Sequence, residues 1–166
     1  TVNAASKQVG HLILNANGDR SRFKEFNLPV IPDVIEGAQG PLAGVLTGME
    51  WAAQNIPGCE WIVTFPTDAP FFPNDFVEKM FQEVQISGAD MACAHSNERT
   101  HPVFALWPIR LASDLRRDMV EKNMRKIDKW TDKYKIIHVN WSTNPYDPFF
   151  NINCPKDIEQ AEEYLN

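Results

Sequence analysis

Residues 61–73 read WIVTFPTDAPFFP. Glu60–Pro66 reads as a short buried strand, since the five residues from Trp61 to Phe65 are apolar or β-branched. Pro66 and Pro70 then stop the ladder, because proline has no N–H to donate. Asp68 is left just past the strand. In an open α/β sheet, ligands bind outside the carboxyl ends of the strands. A carboxylate placed there is suited to a divalent cation, since Mg²⁺ takes one or two carboxylates plus substrate phosphate oxygens. Asp68 is therefore the first candidate for the chemistry.

The pattern extends in both directions. Val9–Ala16 is an apolar run ending in the turn Asn15-Ala16-Asn17-Gly18-Asp19, and reads as a strand. Leu28–Pro32 reads as a second, ending at Asp33. Over Gly40–Asn55 the residues Leu42, Val45, Leu46, Met49 and Ala53 form a helical stripe, and Pro57-Gly58 stops it. A helix with Pro73 in its first turn should bury Phe76, Val77, Met80, Phe81 and Val84. Strands follow at 90–95 and 102–107, with the polar turn Ser96–Thr100 between them. Helices are expected at 109–123 and 125–131, and a strand at 134–141. Asn144–Pro148 reads as a loop and Phe149–Asn153 as a short extended piece. The last helix runs from Pro155 to Leu165. Strands alternating with helices imply βαβ units in a mostly parallel sheet. The adjacent strands at 90–95 and 102–107 imply a local antiparallel excursion.

The 166 residues suffice for one domain with a sizeable core. A net charge of -6 argues against a general affinity for nucleic-acid backbones. Basic residues concentrate only in Arg110–Lys135, where acidic residues are interleaved, the pattern of a solvated helical face. Cys59, Cys93 and Cys154 are odd in number and far apart, which suits a reducing, cytoplasmic compartment and argues against a structural zinc site. No apolar run reaches the roughly 18 residues needed to cross a bilayer.

Other residues join Asp68 as candidates. Gly40, Pro41 and Leu42 open a helix, where free backbone N–H groups attract anions, while Gly44 fits close packing as well as close ligand approach. Asn15 and Asp33 each end a strand, on the same rim as Asp68 if the sheet is parallel. A carboxylate such as Asp33 matches the N1–H and N2–H₂ donors of guanine. Either residue alone would serve equally as a turn former. His101, beside Arg99, precedes a strand. Asn151 and Asn153 share one face of an extended segment by their period of two.

In order along the chain, LILNAN, VIPD, GPLAGVLTGM, FPTDAPFFP, RTHPVFALW and FFNINCPKDI resemble the molybdenum cofactor guanylyltransferase family. The resemblance covers essentially the whole chain. It implies an α/β, three-layer, Rossmann-like nucleotidyltransferase fold. It implies transfer of GMP from GTP to the terminal phosphate of molybdopterin, with release of pyrophosphate. By residue match Asn15 and Asp33, with Gly40, Pro41 and Leu42, would contact the nucleotide. Asp68 would hold Mg²⁺, or Mn²⁺, and the phosphates. Arg99, His101, Asn151 and Asn153 would lie toward the pterin. Molybdoenzymes or cofactor-biosynthesis proteins would be the protein partners, with neither nucleic acid nor membrane. The attacking group is already an anion, so positioning and charge neutralisation replace a strong general base.

The family begins with a strand, a glycine-rich loop and a lysine, and none of these is in the sequence. The expectation is a single domain, 1–166, truncated at its amino terminus. Its first central strand would be absent, leaving two strands without a neighbour and an apolar slot between them. The chain alone should then be weakly active or inactive. Three readings compete with GMP transfer: a related cytidylyltransferase, a non-catalytic adaptor that holds the cofactor, and a receiver-like module with Asp68 as phospho-acceptor. The receiver reading lacks a lysine at a late strand end.

Overall fold

The computed structural model describes residues 1–37 and 40–164. The predicted end of the last helix at Leu165 lies outside them. In chain order the elements are α1 (Val2–Ala5), β1 (Leu14–Asn15), β2 (Val30–Ile31), α2 (Pro41–Asn55), β3 (Trp61–Thr64), α3 (Phe76–Ser87), β4 (Met91–Ser96), β5 (Arg99–Pro108), α4 (Ala112–Glu121), α5 (Ile127–Thr131), β6 (Ile136–Asn140) and α6 (Pro155–Glu163). A 3₁₀ turn over Arg20–Phe26 had no counterpart in the sequence reading. Asp19 caps it by accepting from the Ser21 N–H.

Four strands form one sheet in the order β3-β5-β4-β6, and β1-β2 form a separate parallel pair. β3, β4 and β6 share a direction and β5 alone opposes them. That is the antiparallel excursion expected from the adjacent strands. The β4–β5 hairpin closes on Asn97 and Glu98, both with positive φ (45° and 59°), which matches the twist of the strands it joins.

Helices cover both faces. Along β5, Ala105 and Trp107 enter one apolar cluster with Leu46 and Met49 of α2, Leu115 and Met119 of α4 and Trp130 of α5. Phe104 and Leu106, one residue out of phase, enter the other with Phe76, Met80 and Val84 of α3 and Phe149. Strands buried on both faces carry continuous apolar runs, which is why β4 and β5 show no polar alternation. Two helix faces differ from expectation. Ala53 is exposed and Ala52 buried on α2, and Phe81 of α3 is 41% exposed.

Phe81 is exposed because a slot opens beside it. β1 and β3 are not paired to each other, and each ends its sheet. Between them lies a cavity of about 540 Å³ lined by Leu14, Val45, Ile62, Val77 and Phe81 among others. An apolar slot was expected between two strands without a shared neighbour, and the cavity lies there. α2 spans the slot and touches both sides through glycines one turn apart. A Cβ on Gly44 would lie 2.5 Å from the Asn15 Oδ1, and one on Gly48 would lie 3.0 Å from the Ile62 Cδ1.

The charged stretch after residue 110, read from its interleaved signs as a solvated helical face, is an ion-pair lattice that includes a buried carboxylate. Arg116 pairs with Glu50 at 2.5 Å. Asp118 is 2% exposed and takes both Lys122, at 2.7 Å, and Lys133. Hydrogen bonds from those two ammonium groups hold its carboxyl down to about 2. Trp107 and Trp130 are core residues, whereas Trp51, Trp61 and Trp141 are half-buried.

Candidate active site

Two of the polar residues singled out in the sequence, Asn15 at the end of β1 and Asp33 just past β2, are joined directly. The Asn15 amide donates to Asp33 Oδ1 at 3.0 Å and to the Ile31 carbonyl at 3.1 Å. Asn17, missed in the sequence, completes the arrangement. Its amide donates to Asp33 Oδ2 at 2.8 Å and its carbonyl accepts from the Asp33 N–H at 2.9 Å. Both carboxylate oxygens therefore already accept one bond, and each keeps acceptor capacity. The next residue is tied to α2, because the Val34 N–H donates to Thr47 Oγ1 at 3.1 Å.

Gly40 caps α2 with φ 102°, a conformation that strains any residue with a Cβ. Pro41 occupies the first turn, where its fixed φ suits the helix. Leu42 is fully buried in the core, so its side chain cannot meet a ligand and only its main chain is available. Gly44 is a packing glycine for Asn15. Gly44→Ala should force the Asn15 amide aside and loosen its bond to Asp33. We expect the KM for nucleotide to rise about tenfold, the worth of one or two hydrogen bonds, with kcat little changed. Unaltered nucleotide affinity would show that the Asn15–Asp33 bond is dispensable.

The lining of the slot cavity includes Asn15, Asp33, Gly40 and Pro41 of this group and also Thr67, the neighbour of Asp68 in sequence. Asp68 follows, and its Oδ1 is buried without a hydrogen-bond partner. Burying an unpaired carboxylate oxygen is costly, and a bound cation would offset that cost. The Asp68 carbonyl accepts from the Ile152 N–H at 2.7 Å. That bond lays the 149–153 segment beside Asp68 and leaves Asn151 and Asn153 exposed on either side of half-buried Ile152, as the period of two requires. The segment is not a strand, and it begins in a turn in which the Phe150 N–H donates to the Asp147 carbonyl at 3.2 Å.

His101 is half-buried, its ring 4.8 Å from the Phe149 ring, and Arg99 is exposed at the hairpin. Burial pushes the His101 pKa down, Asp147 opposes that shift, and Arg99 and His95 add to it. None of Arg99, His101, Asn151 and Asn153 lines the slot cavity. Asn15 and Asp33 line the cavity, and these four residues lie outside its lining. No group of three or more His, Cys, Asp or Glu residues suited to a metal occurs among the described residues. No helix among them is long and apolar enough to cross a membrane.

Comparison with known proteins gives this geometry a family. The model of the MobA-like NTP transferase domain matches residues 1–135. A molybdenum cofactor guanylyltransferase of Rhodopseudomonas palustris (strain BisB5) is 47% identical over 161 residues, covering 97% of this chain and 77% of the relative. The crystal structure of molybdopterin-guanine dinucleotide biosynthesis protein A from Archaeoglobus fulgidus superposes with a TM-score of 0.69 at 20% identity. It covers 92% of this chain and 77% of its own. The 2-C-methyl-D-erythritol 4-phosphate cytidylyltransferase of Thermus thermophilus shares the fold at a TM-score of 0.62 and 15% identity, covering 98% of this chain and 86% of its own. The chain belongs to the MobA-like NTP transferase family.

Proposed function

We propose that the protein transfers GMP from GTP to the terminal phosphate of molybdopterin. A phosphate oxygen of the acceptor forms a bond to the α-phosphorus of GTP. The bond from that phosphorus to the β-phosphate bridging oxygen breaks, and its electron pair leaves with pyrophosphate. The observation that carries this reading is the clamped Asp33. Asn15 and Asn17 hold its carboxylate as a paired acceptor, which suits the adjacent N1–H and N2–H₂ of guanine. Cytosine turns mostly acceptors to its partner and would be repelled.

Asp68 fits a divalent cation through its unpartnered Oδ1. It would hold Mg²⁺, or Mn²⁺, together with phosphate oxygens of the nucleotide. When bound, the ion neutralises charge that develops on the transferring and leaving groups. Arg99, His101, Asn151 and Asn153, which lie outside the cavity lining, would bind the pterin half. No lysine or arginine among the described residues lines the slot cavity. We infer that an extended segment occupying the slot supplies the cations and N–H groups that wrap the triphosphate, and that residues 1–166 alone turn over weakly. We place the reaction in the cytoplasm, in keeping with three unpaired cysteines, with molybdoenzymes or other proteins of cofactor biosynthesis receiving the product.

The test is incubation with molybdopterin, Mg²⁺ and either GTP or CTP, with the dinucleotide product weighed by mass spectrometry. The guanine dinucleotide alone is expected, in trace yield from this chain. A cytosine dinucleotide would replace the reading with CMP transfer, and acceptor binding without binding of either nucleotide would point to a cofactor-holding adaptor.

A further inference from the structure

A buried hydrogen-bond chain stands behind His101. Its Nε2 lies 2.8 Å from Ser96 Oγ, and that hydroxyl lies 2.8 Å from Asp147 Oδ1. Asp147 Oδ1 also accepts from the Phe149 N–H at 3.0 Å. Ser96 is 1% exposed, so water does not complete its bonding.

The direction of the chain follows from its members. An ionised carboxylate can only accept, so the Ser96 hydroxyl proton points to Asp147. The Ser96 oxygen then has lone pairs alone to offer the imidazole, and His101 Nε2 must carry the proton. His101 Nδ1 makes no hydrogen bond within the described residues, which leaves it as the ring atom open to a ligand.

Two further features hold the ring. The β4–β5 register shifts between Cys93 and Ala94, so that Ala105 faces Cys93 but His101 faces Ala94. Bulges of this kind re-aim side chains next to active sites. The displaced Val103 carbonyl is satisfied by the Thr64 hydroxyl at 2.6 Å. Phe149, packed on the imidazole, is three residues from Ile152, whose N–H binds the Asp68 carbonyl. The relay is thereby coupled through one short segment to Asp68.

We propose that Ser96 and Asp147 are positioning residues for the acceptor substrate, fixing His101 as the Nε2–H tautomer so that Nδ1 accepts an N–H of its heterocycle. This inference rests on the proposed assignment of Arg99, His101, Asn151 and Asn153 to the acceptor. Ser96 and Asp147 are 51 residues apart in sequence and neither stood out in it. A purely structural relay would satisfy the buried serine without affecting one substrate more than the other.

The experiment labels the histidines with ¹⁵N and titrates molybdopterin into wild type, Ser96→Ala and Ser96→Thr while recording the His101 ring resonances. The wild type should show a protonated Nε2 and an unprotonated Nδ1 that shifts as the acceptor binds. Ser96→Ala should give a mixture of tautomers and weaken acceptor binding about three- to tenfold, the range for one neutral hydrogen bond. GTP affinity should not change, and Ser96→Thr should restore both the tautomer and the binding. A proton on Nδ1 in the wild type, or equal losses of GTP and acceptor affinity in Ser96→Ala, would overturn the inference. If the wild type makes no guanine dinucleotide, the functional reading falls. The tautomer and binding readouts still decide the relay, because neither needs turnover.

Discussion

Asp68→Asn should lower the rate of GMP transfer by about 10²–10³-fold, the usual cost of removing one preorganised electrostatic group at a site of developing charge. The substitution keeps the shape of the side chain and removes its charge. Asp68 Oδ1 is buried and unpartnered, so the folded chain gains little from that charge and the unfolding midpoint should stay level or rise. Loss of rate without loss of stability is the signature of a group held in a costly state for function. The Mg²⁺ concentration needed for half-maximal rate should also increase. The measurements are kcat against Mg²⁺ concentration and a thermal melt of the same samples. A variant with unchanged kcat would remove Asp68 from the chemistry, and a variant that melts far earlier would make it a structural residue.

Phe76→Ala is expected to have the largest effect on stability, about 3–5 kcal/mol. Phe76 is fully buried. Its ring meets Phe65, Phe72, Phe104 and Phe149 at 5.6 to 6.0 Å and stacks on Trp141 at 5.2 Å. The helix start cannot move inward to fill the void, because α3 is held along its length by Met80 and Val84 in the same cluster. Against a total of about 5–15 kcal/mol for a domain, that loss leaves the variant near its unfolding midpoint. It also removes the support under Phe149, on which the His101 ring rests. Urea denaturation followed by tryptophan fluorescence measures the difference. A cost below about 1 kcal/mol would mean that the aromatic cluster repacks freely.

Much of the architecture was legible in the linear pattern. The apolar runs at 90–95 and 102–107 are long because both faces of β4 and β5 are covered, and that composition survives any rearrangement of neighbours. α2 was readable from Pro41 at its start and its apolar stripe. Asp68 stood out because two prolines flank a single carboxylate just past β3, a strand that read as buried but is half-buried because the slot opens beside it. Boundaries were less certain. Only Leu14–Asn15 of the run 9–16 pairs as a strand, since β1 has a partner on one side and the slot on the other. Phe81 was read as buried from its helical phase, but the phase specifies a face and not whether anything covers it.

The sequence by itself determined the α/β class, the family and the three strand-end residues Asn15, Asp33 and Asp68, because periodicity and local turn chemistry act over a few residues. Only the tertiary structure decided that Asn17 clamps Asp33, that Gly44 serves Asn15, and that Ser96 and Asp147 stand behind His101. The Asn17–Asp33 and Ser96–Asp147 pairings join residues 16 and 51 positions apart, and a contact across such a span depends on strand order, register and one β-bulge, none of which leaves a local mark on the chain.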